Sequence, residues 1–168
     1  MEALVFEVGD WQFAIPASAV EQIAPLVEIE PVPGAPEVVE GVIDVHGRLV
    51  AVFGLRRRFG LPERPGALWD HLILARAGER VVAIHADRVV DFTRLPDETL
   101  EPVERLTAAA PGIGALARTP SGVLLVHDPA TFLTDGEAEA LAHALSQANG
   151  RAGARAGARA DAREAVVG

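Results

Sequence analysis

Val38-Val-Glu-Gly-Val-Ile-Asp-Val-His-Gly-Arg-Leu-Val-Ala-Val-Phe-Gly-Leu-Arg-Arg-Arg-Phe-Gly60 is the stretch that decides the fold of this 168-residue chain. Two apolar runs, Val42 to Val45 and Leu49 to Phe53, flank His46-Gly47-Arg48, and a glycine between β-rich runs supplies the positive φ of a tight turn. The spacing predicts a β-hairpin. Behind it, Leu55, Arg58 and Phe59 recur at helical spacing and Gly60 follows, which predicts one short helix closed by glycine.

Three more hairpins are legible on either side. Leu4 to Val8 and Trp11 to Ile15 are separated by Gly9-Asp10, a two-residue hairpin signal. Trp69 to Ala75 and Arg80 to Ala86 alternate around Gly78-Glu79, with a further strand at Val89 to Thr93. Ile113 to Arg118 and Val123 to His127 flank Thr119-Pro120-Ser121-Gly122, a reversal by its proline and glycine.

The intervening segments read less regularly. Pro16 opens a predicted helical segment from Ala17 to Ile23, and Leu26 to Glu30 alternates as a half-buried strand does. Prolines 31, 33 and 36 hold an extended loop, and Leu61 to Gly66 is a linker by composition. Arg94 to Pro111 is a long connection of the kind that carries function or mobility. From Asp135 onward, Ala138, Leu141, Ala142, Leu145 and Ala148 form the apolar stripe of a terminal helix with acids at its start. Residues 150–168 repeat Arg-Ala-Gly-Ala without an apolar face and are expected to form a disordered tail.

Composition narrows the function classes. The 49% hydrophobic content describes a globular protein, and no run approaches the roughly 18 to 20 apolar residues of a membrane span. Met1-Glu2-Ala3 lacks the basic start of a signal peptide, so a cytoplasmic protein without direct membrane insertion is expected. With no cysteine, disulfides, thiolate catalysis and cysteine-ligated metals drop out. Residues 1–149 hold 11 arginines against 22 acids, a net −11, and residues 150–168 hold 4 against 2, a net +2. An acidic body repels phosphate backbones, so no nucleic-acid partner is expected. The histidines at 46, 71, 85, 127 and 143 show no ligand spacing, so neither metal nor cofactor is expected. Ser18, Asp44 and His46 lack a nucleophile elbow, and Gly112-Ile113-Gly114 lacks the third glycine of a dinucleotide loop. These readings argue against an enzyme. Arg56-Arg57-Arg58 reads as a solvated face rather than a partner patch, because short charge runs usually are.

Nine or ten short strands overfill one small barrel, and closure removes exposed edges, so two small closed barrels sharing an apolar seam is the economical architecture. The chain resembles the CheW-like chemotaxis adaptors from residue 3 to about 147. The signals are Leu4-Val-Phe-Glu-Val-Gly-Asp10, Ile15 before Val20-Glu-Gln-Ile23, Pro36 before Gly41-Val-Ile43, then Gly47, Leu55-Arg56 and Gly112-Ile-Gly-Ala-Leu116, in that order.

The resemblance implies a mainly β fold of two intertwined five-stranded β-barrels, with a short internal helix and a C-terminal helix, over residues 1–149. It implies a non-catalytic adaptor at receptor arrays of the inner membrane. Such an adaptor binds the cytoplasmic tip of chemoreceptors and the CheW-like regulatory domain of a chemotaxis histidine kinase. The matching receptor-facing positions are Val20, Ile23, Gly41, His46, Gly47 and Arg48, around a groove between barrels. Burying Val20 and Ile23 against a receptor helix yields about 1.5 to 3 kcal/mol each, although apolar residues of this kind read by themselves as core. Gly41 permits close backbone approach, and a charge there, as in Gly41→Asp, is expected to block recruitment without unfolding the protein. His46 stands where the family usually has arginine, and Gly54 where it often has aspartate. These departures leave open a specialised array, such as one for pili or surface motility. The resemblance assigns no residues to the kinase surface.

Overall fold

The computed structural model describes residues 1–103 and 111–150. In chain order the strands are β1 (Glu2–Val8), β2 (Trp11–Pro16), β3 (Val20–Pro25), β4 (Val39–Val45), β5 (Arg48–Phe53), β6 (His71–Ala77), β7 (Arg80–Ala86), β8 (Arg88–Arg94), β9 (Leu100–Pro102), β10 (Ile113–Thr119) and β11 (Gly122–His127). Helix α1 spans Leu55–Arg58 and helix α2 spans 135–150.

The strands form two sheets, one ordered β8-β1-β2-β11-β10-β9 and the other β3-β6-β7-β5-β4. The chain leaves the first sheet after β2, builds the whole second sheet, and returns at β8. Each predicted hairpin is present, with two-residue turns in the registers Val8↔Trp11, Val45↔Arg48, Ala77↔Arg80 and Thr119↔Gly122. The fold is mainly β, as the sequence led one to expect. Its sixth strand in the first sheet, β9, comes from the connection whose structure the sequence did not specify; residues 104–110 of that connection lie outside the described residues.

Both sheets bury both faces. Leu4, Phe6, Val8, Phe13 and Ile15 of the first sheet meet Phe53, Ile73, Ala75, Val82 and Ile84 of the second in one shared core. On the far faces, Ala3, Val5, Ala14, Leu124 and Val126 form a second core, and Ile43, Val50, Val52, Leu72 and Leu74 a third. Strands buried on both sides need no polar alternation, which explains runs such as Leu72 to Ala75. The second sheet is drawn closed where Glu30 and Val42 exchange backbone hydrogen bonds of 2.9 and 2.8 Å, joining β4 to the segment that continues from β3.

Two expectations change. The segment Ala17 to Ile23 is not a helix: only Ala17–Ala19 form a 3-10 turn, and Val20 onward is strand β3. Three residues cannot nucleate an α-helix, whereas Val20 and Ile23 suit a strand and find the free edge of β6. Leu26 to Glu30 is not a strand either. Leu26 still donates to the Asp70 carbonyl at 3.0 Å, but beyond it only the Glu30–Val42 bridge forms; the prolines at 31 and 33 remove the donors a longer ladder needs.

Helix α2 starts with a capping box. Thr134 N–H donates to Glu137 Oε1 at 2.9 Å while Glu137 N–H donates to Thr134 Oγ1 at 3.3 Å. Its buried face is Leu141 and Ala144, with Leu145 and Ala148 half-buried, and Leu141 and Leu145 pack on the shared core. Ala138, counted into the stripe from the sequence, is exposed. The tail beyond residue 150 lies outside the described residues.

Candidate functional site

Strand β3 carries a β-bulge between Val20 and Gln22, so its register runs Val20↔Ala75, Gln22↔Leu74, Ile23↔Ile73. The extra residue corrects the parity of two positions three apart, so Val20 and Ile23 lie opposite same-facing partners, both in the shared core. Val20 is half-buried against that core and Ile23 is 36% exposed. The first sheet contributes a matching residue that sequence reasoning missed. Phe92 on β8 lies opposite Leu4, another shared-core residue, yet is 50% exposed. Both β3 and β8 are edge strands. β3 flanks β6 and β8 flanks β1, and the Ala17–Ala19 turn touches both β1 and β6. Two sheet edges therefore extend the shared core outward as apolar side chains, with the Arg76–Glu21 ion pair (2.9 Å) beside them. Phe92 was hidden in the sequence because Val-Val-Asp-Phe-Thr reads as an ordinary strand whose exposure depends on its place in the sheet.

The remaining predicted residues sit elsewhere. Gly41 is buried on β4, at the opposite edge of the five-stranded sheet from β3. A Cβ at Gly41 would lie 2.2 Å from the Glu30 carbonyl oxygen and 2.9 Å from the Ile29 side chain. The close approach that Gly41 permits is thus made by the chain's own backbone, and a substitution there cannot leave the fold intact. His46 and Gly47 form the two-residue turn at φ 52° and 83°, and Gly47 N–H donates to Asp44 Oδ1 at 2.7 Å. His46, Gly47 and Arg48 are all exposed. The structure therefore sets Val20 and Ile23 on one edge strand of the second sheet and Phe92 on an edge strand of the first, each on the shared-core side, and holds His46 to Arg48 at a separate exposed turn.

The arginines of α1 are not a solvated face. Arg56 pairs with Asp87 and Arg58 with Glu137, their side chains only 18% and 13% exposed, and Arg57 pairs with Glu63 at 3.2 Å. Gly54 caps α1 without a side-chain bond; a Cβ there would meet Val38 O at 3.2 Å and Glu40 Cγ at 3.0 Å. Asp70 is fully buried and held by Arg64 and His85. Among the described residues no cluster of three histidine, cysteine or acidic side chains has the geometry of a metal site, and no helix is long and apolar enough to cross a membrane.

The CheW-like domain model matches residues 2–137, spanning both sheets and the start of α2. This chain belongs to the CheW-like domain family. A chemotaxis protein CheW of Rhizobium meliloti is 30% identical over 101 residues, which cover 60% of this chain and 65% of that protein, just under two thirds of its length. A chemotaxis protein CheW of Klebsiella aerogenes is 28% identical over 123 residues, covering 68% of this chain and 72% of the relative. The solved scaffolding protein TtCheW of Thermoanaerobacter tengcongensis superposes with a TM-score of 0.68 over 75% of this chain and 87% of its own, at 20% identity. The CheW-like fold thus accounts for the paired sheets.

Proposed function

We propose that this protein is a non-catalytic adaptor that couples chemoreceptors to a chemotaxis-type histidine kinase in a cytoplasmic signalling array. The carrying observation is the pair of apolar sheet edges, where Ile23 and Phe92 remain exposed although the positions opposite them belong to the shared core. Water-exposed apolar side chains continuous with a core suit the apolar face of an amphipathic helix, and a receptor's helical tip supplies one. Membership of the CheW-like family and the chemotaxis names of its relatives support the reading. His46, Gly47 and Arg48 form a second, polar element of the receptor surface, while Val20 and Gly41 act by shaping it.

The test is a pull-down of the full chain against a chemoreceptor tip fragment and, separately, the kinase's regulatory domain. The wild type binds both. Ile23→Asp and Phe92→Asp, at exposed positions, lose receptor binding at least tenfold and keep the kinase. Equal receptor capture by both variants, or a wild type that binds neither partner, overturns the reading.

A further inference from the structure

A ladder of alternating charges crosses one end of the second sheet. Arg56 of α1 pairs with Asp87, in the turn between β7 and β8, and Asp87 Oδ1 lies 2.8 Å from Arg64. Arg64 then grips Asp70 with two hydrogen bonds of 2.8 and 3.1 Å. Asp70 Oδ2 lies 2.7 Å from Nε2 of His85 on β7, and Nδ1 of the same ring lies 3.0 Å from both carboxylate oxygens of Glu40 on β4. Arg57 and Glu63 line the same small cleft. Arg64 belongs to Leu61 to Gly66, a linker by composition, and Asp70 to the stretch from Trp69 read as the start of a strand, which begins only at His71. The 61–70 segment is a strap, fastened to the body also by Arg56 donating to Pro62 O and by Leu26 N–H donating to Asp70 O at 3.0 Å, while Ala67 N–H donating to Asp70 Oδ2 at 3.1 Å closes its own turn. At its tip, Leu68 is 96% and Trp69 72% exposed.

The geometry at His85 fixes a protonation state. Carboxylates face both ring nitrogens, and only an imidazolium donates from both. A neutral ring presents a lone pair to one carboxylate, opposite the fully buried Asp70 or the half-buried Glu40. We propose that the 61–70 strap is a proton-held latch, fastened while His85 is an imidazolium and loosened at the Asp70–His85–Glu40 contact when that proton leaves. Burial alone pushes the His85 proton off, but the hydrogen bonds and charges of Glu40 and Asp70 outweigh it and raise the pKa above 6.5. With the folded value raised, the His85 contribution is complete below 6.5 and is lost as the pH rises through the folded pKa. Asp70 bounds the other side. Burial raises its pKa, but the Arg64 hydrogen bond leads the contacts that lower it from 3.8 to about 2, so its charge is lost only in strong acid. Asp87 also accepts from Gly9 N–H at 2.7 Å, which ties the ladder to the β1–β2 turn of the first sheet.

NMR titration of the full chain between about pH 5.5 and 9 tests this. The His85 ring resonance titrates with a midpoint above 6.5, and the Ala67 and Asp70 amides shift with the same midpoint while the Leu68 and Trp69 amides gain fast motion. Glu40→Gln moves both midpoints down together, and His85→Gln leaves the strap amides in their high-pH state throughout. A His85 midpoint at or below 6.5, or strap amides that do not follow His85, overturns the proposal.

Discussion

Gly41 and Glu30 meet backbone to backbone: a Cβ on the glycine would stand 2.2 Å from the Glu30 carbonyl oxygen, where Glu30 and Val42 close the second sheet. No L-residue fits without displacing that bridge. Gly41→Ala is expected to destabilise the protein by about 2 to 4 kcal/mol, and Gly41→Asp by more. Urea unfolding measures it; an unchanged midpoint for Gly41→Ala would mean the 29–30 segment yields freely. Lost receptor binding in a position-41 variant therefore reports a damaged fold before it reports a lost contact.

His46 is, among the described residues, the one non-glycine at positive φ. The first position of a two-residue turn with both φ values positive favours asparagine or glycine. His46→Asn is expected to stabilise the protein by roughly 0.5 to 1 kcal/mol while changing the receptor surface. Thermal unfolding and receptor pull-down together read the two effects, and a variant no more stable than the wild type would show that the histidine bears no strain.

His127 is fully buried, donates from Nδ1 to Gly112 O at 2.8 Å, and has no partner at Nε2 among the described residues. Burial lowers its pKa from 6.5 to about 4. The unfolded chain takes up the proton first, so the His127 contribution is complete above 6.5 and is lost as the pH falls through 6.5 toward 4. The slope runs opposite to that of His85. Unfolding free energies from denaturant titrations between pH 7 and 4 are expected to fall in the wild type by up to roughly 3 kcal/mol from this site and to fall less in His127→Gln. Parallel curves for the two proteins would remove His127 as the source.

Thr134 and Glu137 satisfy each other's backbone N–H at the start of α2, and Glu137 also pairs with Arg58. Thr134→Ala is expected to cost about 1 kcal/mol. Glu137→Gln keeps the cap and loses the ion pair, so it costs less. Calorimetry distinguishes them, and equal losses would place the contribution in the Arg58 pair instead.

Local chemistry sufficed for the hairpins. Gly9-Asp10, His46-Gly47 and Gly78-Glu79 can turn the chain in only a few ways, and the apolar runs around them supply the strands. Helix α1 was legible from Leu55, Phe59 and Gly60, and the acidic start of α2 pointed to its cap. The order of motifs across the body also carried the family. What failed was the stretch from Ala17 to Glu30. Val20 and Ile23 fit a helical face and a bulged strand equally well, and the free edge of β6, some 50 residues away in sequence, chose the strand.

The site divides along the same line. The sequence by itself determined which residues are apolar, which turns are tight and that the body is acidic, because these follow from side-chain chemistry and short-range backbone geometry. Only the tertiary structure decided that Phe92 stands at an exposed sheet edge while Leu4 opposite it is buried, that Gly41 answers to Glu30, and that Glu40, Arg64, Asp70, His85 and Asp87 form one ladder. Those relations join residues on different strands. Exposure and ion pairing depend on which segments the two sheets bring together, and no local pattern encodes that.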